Sequence, residues 1–191
     1  MKKKSLLAVA AMVVMCSATG AMAGGSYLGA AGGVSIYHDS DVSITGGPSG
    51  DVSYKTGYGF NLAAGYDFEP VRAEFEFGYK SAEIKDTGGV DTNIQSYMIN
   101  AYYDFKNKTS LTPYVGAGVG MLNGELEDNG ISIDDNAFGY QVMVGTAYNM
   151  TKNLALDLSY RFQGAANDFS KEGIDISYNS SNIYAGIRYT F

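Results

Sequence analysis

Eight segments in which apolar and polar residues alternate, joined by connections that are alternately short and long, predict an all-β chain. The expected architecture is an eight-stranded antiparallel up-and-down transmembrane β-barrel. A third observation agrees with it: beyond residue 23 no stretch is long and apolar enough for a spanning helix, which needs about 20 residues. The chain is also rich in Gly (25) and Tyr (16), with one His and no Trp, a mixture unusual in helical domains.

Residues 1–23 have the organisation of a secretory signal. Lys2, Lys3 and Lys4 give a positive start, residues 6–14 an apolar core, and Ala21-Met22-Ala23 a small-x-small cleavage site. The apolar run is short for a membrane anchor, and Met15 before Cys16 argues against lipoprotein processing. Residues 24–191 are then expected to form one domain, the barrel. That part has no cysteine, so it would be exported without disulfides, thiolate metal sites or a Cys nucleophile. Loss of three lysines leaves 10 basic against 20 acidic residues, a net charge of −10 where the whole chain has −7. So acidic a chain is a poor partner for nucleic acid.

The segments follow in order. Residues 26–37 are the weakest, with Leu28, Ala30, Val34 and Ile36 on one face. Next, Tyr58, Phe60, Leu62, Ala64, Tyr66 and Phe68 alternate with Gly59, Asn61, Ala63, Gly65 and Asp67. In residues 71–80, Val71, Ala73, Phe75, Phe77 and Tyr79 oppose Arg72, Glu74, Glu76, Gly78 and Lys80, an apolar face against an ionic one. Residues 97–105, 113–121, 140–149, 154–162 and 181–191 repeat the pattern. Short connections fall at Glu69-Pro70, 106–110 and 151–153; long polar ones fall at 38–56, 81–93, 123–137 and 164–179. Tight turns at one end and long loops at the other are the layout of an up-and-down barrel.

Alternation by itself also fits a soluble barrel with an apolar lumen. Three features favour lipid outside and polar groups inside. Aromatics gather at segment ends (Tyr66, Phe68, Tyr103, Phe105, Tyr148, Tyr189, Phe191), as interfacial girdles require. The segments reach the ~9–11 residues of a tilted spanning strand. Eight strands enclose a lumen that side chains can fill, where charges of both signs can pair.

PYVGAGVG at 113–120 and YAGIRYTF at 184–191 resemble strands of the small outer-membrane barrel families: the OmpA-like transmembrane domain, the OmpX/Ail group and the opacity-type surface antigens. The resemblance covers residues 24–191. It implies a bacterial outer-membrane location, with outer-membrane lipid and lipopolysaccharide as surroundings. An even strand count puts both termini in the periplasm, with three short turns there and four loops outside. The resemblance also implies that Phe191, with Tyr189 two residues before it, forms the signal read by the barrel assembly machinery.

Candidate functional residues lie in two places. Inward-facing Arg72, Glu74, Glu76, Lys80, Asp104, Asp157, Arg161 and Arg188 are expected to form an interior ion-pair network that plugs the barrel, with Glu74 and Glu76 pairing with some of Arg161, Arg188 and Lys80. Gly116, Gly118 and Gly120 make room for large neighbours such as Arg188 or Tyr114. The four loops hold most of the acid, including Asp39, Asp41, Asp51, Glu83, Asp86, Asp91, Asp168, Glu172, Asp175 and the stretch ELEDNGISIDD at 125–135. That stretch lacks EF-hand spacing, so no metal site is assigned. The leading expectation is a non-enzymatic membrane protein whose loops serve surface interaction with a host or cell-surface ligand, adhesion or membrane integrity. A narrow diffusion pore is the second reading. The third is a lipid A-modifying enzyme, because some barrels of this size resembling it carry out such chemistry and one kind uses a Ser–His pair; here His38 precedes Ser40. With no third orienting group identifiable, no catalytic residue and no cofactor is assigned.

Overall fold

The computed structural model describes residues 25–38, 40–44, 50–52, 55–83, 91–128, 131–167, 169–171 and 174–191. The expected signal segment, 1–23, lies outside them. Among the described residues there are twelve strands: β1 (Ser26–Tyr37), β2 (Ser40–Ile44), β3 (Gly50–Val52), β4 (Gly57–Asp67), β5 (Val71–Glu83), β6 (Asp91–Asp104), β7 (Leu111–Asp128), β8 (Ile131–Asn149), β9 (Leu154–Ala165), β10 (Phe169–Lys171), β11 (Ile174–Ile176) and β12 (Asn179–Thr190). Eight of them close into an antiparallel barrel in the order β1-β12-β9-β8-β7-β6-β5-β4. Closure removes the free edges of an open sheet.

The register fixes the shape. Partners followed once round the wall run Ile36, Ser181, Phe162, Val142, Ala117, Ala101, Ala73, Tyr66 and Ser26. The path returns to β1 ten residues from its start. At ~3.3 Å per residue and ~4.8 Å between strands, a stagger of ten over eight strands tilts them about 40° to the barrel axis.

The wall is one residue thick, so alternation along each strand becomes alternation between lumen and exterior. Large apolar side chains cover the outside: Tyr58, Phe60, Leu62, Ile99, Val119, Val142, Leu158, Ile183 and Ile187 are all exposed, Ile99 to 67 %. A continuous belt of this kind is far larger than the apolar patches a water-soluble monomer tolerates. Inside, Glu76 is 2 % and Lys80 3 % exposed. Interfacial aromatics pair two residues apart at the turn end, with ring centroids 4.7 Å apart for Tyr66–Phe68 and 5.2 Å for both Tyr103–Phe105 and Tyr189–Phe191.

The three short turns lie where the sequence places them. In the second, Asn107 Oδ1 accepts from Thr109 N at 2.7 Å and Asn107 Nδ2 donates to Leu111 O at 2.8 Å, an Asx-type closure. In the third, Thr151 Oγ1 accepts from the amides of Asn153 and Leu154 at 3.2 and 3.0 Å.

The long connections are less irregular than the sequence suggests. β5 and β6 stay paired out to Glu83↔Asp91, and β7 and β8 to Asp128↔Ile131, so 81–83, 91–93 and most of 123–137 are strand. Beyond the lipid both faces meet water, so the apolar alternation that marks a strand disappears although backbone pairing continues. Connections 38–56 and 164–179 contain β2, β3, β10 and β11, which form a second sheet in the order β10-β11-β2-β3. The first and last connections are joined through Ile174↔Ile44, Asp175↔Ser43 and Ile176↔Val42.

Candidate functional site

All eight charged residues expected inside project into the lumen. Arg72 Nε donates to both carboxylate oxygens of Asp104, at 3.0 and 2.8 Å. Its guanidinium carbon lies 4.5 Å from the Tyr102 ring centre and 5.1 Å from that of Tyr114, within cation–π range. Arg161 Nη1 bonds Glu76 Oε2, and Gln141 Nε2 donates to the other oxygen at 3.2 Å. These are the two direct interior ion pairs among the described residues.

The remaining four charges are held differently. Glu74 meets none of Arg161, Arg188 or Lys80. It accepts from Tyr102 OH at 2.7 Å, Tyr27 OH at 2.8 Å and Asn100 Nδ2 at 3.1 Å. The register explains this: Glu74 sits opposite Asn100, and two tyrosine hydroxyls saturate its oxygens. Lys80 lies four residues from Glu76 on the same face, its Cα about 13 Å away along the strand. It donates instead to Gln163 Oε1 at 2.7 Å, Ser180 Oγ at 3.2 Å and Tyr178 OH at 3.3 Å. Asp157 accepts from Tyr114 OH at 2.5 Å. Arg188 forms no ion pair among the described residues; its guanidinium carbon lies 5.6 Å from the Tyr27 ring centre.

The residues that knit these charges together are therefore neutral: Tyr27, Tyr102, Tyr114, Asn100, Gln141 and Gln163. Gln141 Nε2 also donates to Asn100 Oδ1 at 2.8 Å, and Gln163 Nε2 to Gln141 Oε1 at 3.2 Å, linking the Glu74, Glu76 and Lys80 groups. Their signal in the sequence was their place on the polar side of each alternating segment. Toward the long connections Tyr37, Ala82, Ile94, Met98, Leu122 and Tyr178 pack together around Lys80. The inward glycines of β7 serve β6: a Cβ on Gly116 would overlap the Tyr102 ring, and one on Gly118 the Asn100 amide. The side chains they accommodate are thus not Arg188 or Tyr114; Tyr114 lies over Gly145.

On the outer wall, His38 Nε2 is 2.9 Å from Ser181 Oγ, which is 2.9 Å from Tyr160 OH. His38 therefore meets a serine of β12; the side chain of Ser40 lies outside the described residues. Among the loop carboxylates, Glu83 pairs with Lys55 at 2.7 Å in an exposed position, worth little by itself. The acidic side chains of 39–54, 84–91, 125–135 and 168–176 lie outside the described ones. Tyr189 and Phe191 both face outward, Phe191 62 % exposed, and the Phe191 amide donates to Ser26 O at 3.0 Å.

A closed eight-stranded wall with an apolar exterior and a charged interior is the geometry of a membrane barrel, and comparison with known proteins names its kind. Residues 5–191 match the family described as "Outer membrane protein beta-barrel domain". The chain belongs to that family. This outer-membrane barrel is 29 % identical to the outer membrane protein PagN of Salmonella typhimurium (strain LT2), over all of the chain and 91 % of PagN. Among solved structures, Neisserial surface protein A superposes with a TM-score of 0.63 at 23 % identity, over 87 % of this chain and 97 % of that one. OprG of Pseudomonas aeruginosa gives 0.60 at 15 % identity, over 87 % and 96 %. At such identities the structural likeness establishes the fold. Membership of the family establishes an outer-membrane protein.

Proposed function

We propose that this outer-membrane barrel is a non-enzymatic platform whose interior is plugged and whose four outer connections carry its activity as surface interaction, adhesion or membrane integrity. One observation carries the reading: the lumen is crossed by a hydrogen-bonded network from Arg72–Asp104 to Lys80–Gln163, and an apolar cluster that includes Met98 and Leu122 packs beside its Lys80 end. A filled lumen directs function to the outer end. There the paired backbone of β7 and β8 and the sheet β10-β11-β2-β3 present ordered structure rather than loose loops. In this reading residues 1–23 are removed on export, both termini lie in the periplasm, Tyr189 and Phe191 address the chain to the assembly machinery, and the acidic connections meet lipopolysaccharide or a cell-surface ligand.

The test compares intact protein with a variant whose connections 38–56, 84–90, 125–135 and 166–177 are shortened. Adhesion of bacteria displaying each is measured, and both proteins are recorded in planar bilayers. Loss of adhesion with low conductance throughout supports the proposal. Large, steady conductance of the intact protein would instead establish the pore. Lipid A released or altered by intact protein but not by His38→Ala would establish the enzyme.

A further inference from the structure

Near the turn end, a cavity of about 40 Å³ is lined by Tyr27, Arg72, Glu74, Asp157, Arg161 and Arg188, among others. Its polar groups are unevenly engaged. The carboxylates are occupied: Glu74 by three neutral donors, Glu76 behind it by Arg161 and Gln141, and Asp157 by Tyr114. Asp104 takes both its bonds from Arg72 Nε. Beside the one oxygen of Asp157 that takes no hydrogen bond from the described residues, what remains is donor capacity. Arg72 Nη2 and Arg188 Nη1 are both buried and make no hydrogen bond to the described residues. The side chain of Arg72 is only 4 % exposed.

Buried guanidinium nitrogens without acceptors are costly. Here two of them belong to cations that flank one ring, with guanidinium carbons 5.7 and 5.6 Å from the Tyr27 centre. Guanidinium donors without acceptors that line one cavity favour an acceptor there, and a negatively charged one makes the stronger, charge-assisted bonds. Arg188 also lines a larger mouth of about 620 Å³ at the turn end, beside Lys152, Asn153 and Thr190. It therefore stands between the cavity and the water beyond the turns.

We propose that this cavity is a binding site for a small inorganic anion of the chloride class, held between Arg72 Nη2 and Arg188 Nη1 and reached from the turn end of the barrel. The size of the cavity suits one such ion with little else, and excludes phosphate esters and sugars.

The probe is bromide. The full-length barrel is crystallised in bromide and the anomalous signal measured. In parallel, urea unfolding in lipid vesicles is followed in bromide and in gluconate at equal ionic strength. The expected result is an anomalous peak between the two guanidinium groups and a higher unfolding midpoint in bromide, with both lost in Arg188→Met. If Arg188→Met does not fold, the unmodified protein still decides the matter. No anomalous peak, or an Asp157 carboxylate closed onto Arg188, would overturn the proposal. So would a peak without the difference in solution, which marks an ion forced in at crystal concentration.

Discussion

Replacing Arg161 by Met should be among the most damaging single changes in the barrel. Arg161 and Glu76 have side chains 10 % and 2 % exposed, and Arg161 is the one cation that bonds Glu76 among the described residues. Without it the carboxylate keeps only the Gln141 amide at 3.2 Å. Removing one partner of a buried pair costs about 3–5 kcal/mol. A loss near 4 kcal/mol is about a thousandfold in the folding equilibrium. With a slope of about 2 kcal/mol per molar urea it lowers the unfolding midpoint by about 2 M. The double variant Glu76→Gln/Arg161→Met removes both charges, leaves an amide oxygen that Gln141 can still meet, and should recover at least half of the loss. The assay is reversible urea unfolding in lipid vesicles for the wild type, both single variants and the double variant. A cost below about 1 kcal/mol for Arg161→Met, the worth of a solvent-exposed pair, would show that the lumen is wet enough to screen the charge. A double variant as damaged as the sum of the singles would show that the two residues act apart.

Four further outcomes follow from the wall itself. Gly118→Ala should destabilise by about 1–3 kcal/mol, because its Cβ displaces the Asn100 amide that serves Glu74 and Gln141. Gly32→Ala, whose Cβ would meet its nearest neighbour at 3.8 Å on the outer face, should be neutral or stabilising in the same assay. Leu158→Arg, exposed near the middle of β9, should cost about 2–4 kcal/mol in lipid, the depth-dependent penalty of a charge on the lipid face; a cost under about 1 kcal/mol would put Leu158 outside the hydrocarbon. Deleting Phe191 should lower outer-membrane levels severalfold while leaving the refolded barrel's urea midpoint nearly unchanged; normal levels in fractionated membranes would refute an assembly role.

How much of this was legible in the sequence depends on how many strands a feature involves. The facing of Arg72, Glu76 or Ile187 is a property of one strand, and period-two alternation shows it directly. The three turns are nearly as local: Asn107 and Thr151 close them with their own side chains. The pairing of charges is not local. Glu76 on β5 finds Arg161 on β9 across the lumen, and which residues share a level there follows from a stagger of ten accumulated over eight registers. A slip of two residues in one of those registers would preserve every alternation yet present Glu74 rather than Glu76 to Arg161. For the same reason the sequence could name Glu74 as inward but not foresee Tyr27, forty-seven residues away, as its partner. The apolar cluster was hidden for a different reason. Ile94, Met98 and Leu122 face inward among the ions, with Met98 opposite Glu76 and Ile94 opposite Lys80, so the rule of polar inside and apolar outside fails at those positions. Beyond the lipid the rule has no force at all, and β7 and β8 stay paired there out to Asp128↔Ile131. Alternation is therefore a map of where the chain meets hydrocarbon. What happens inside the wall and above it must be worked out from register.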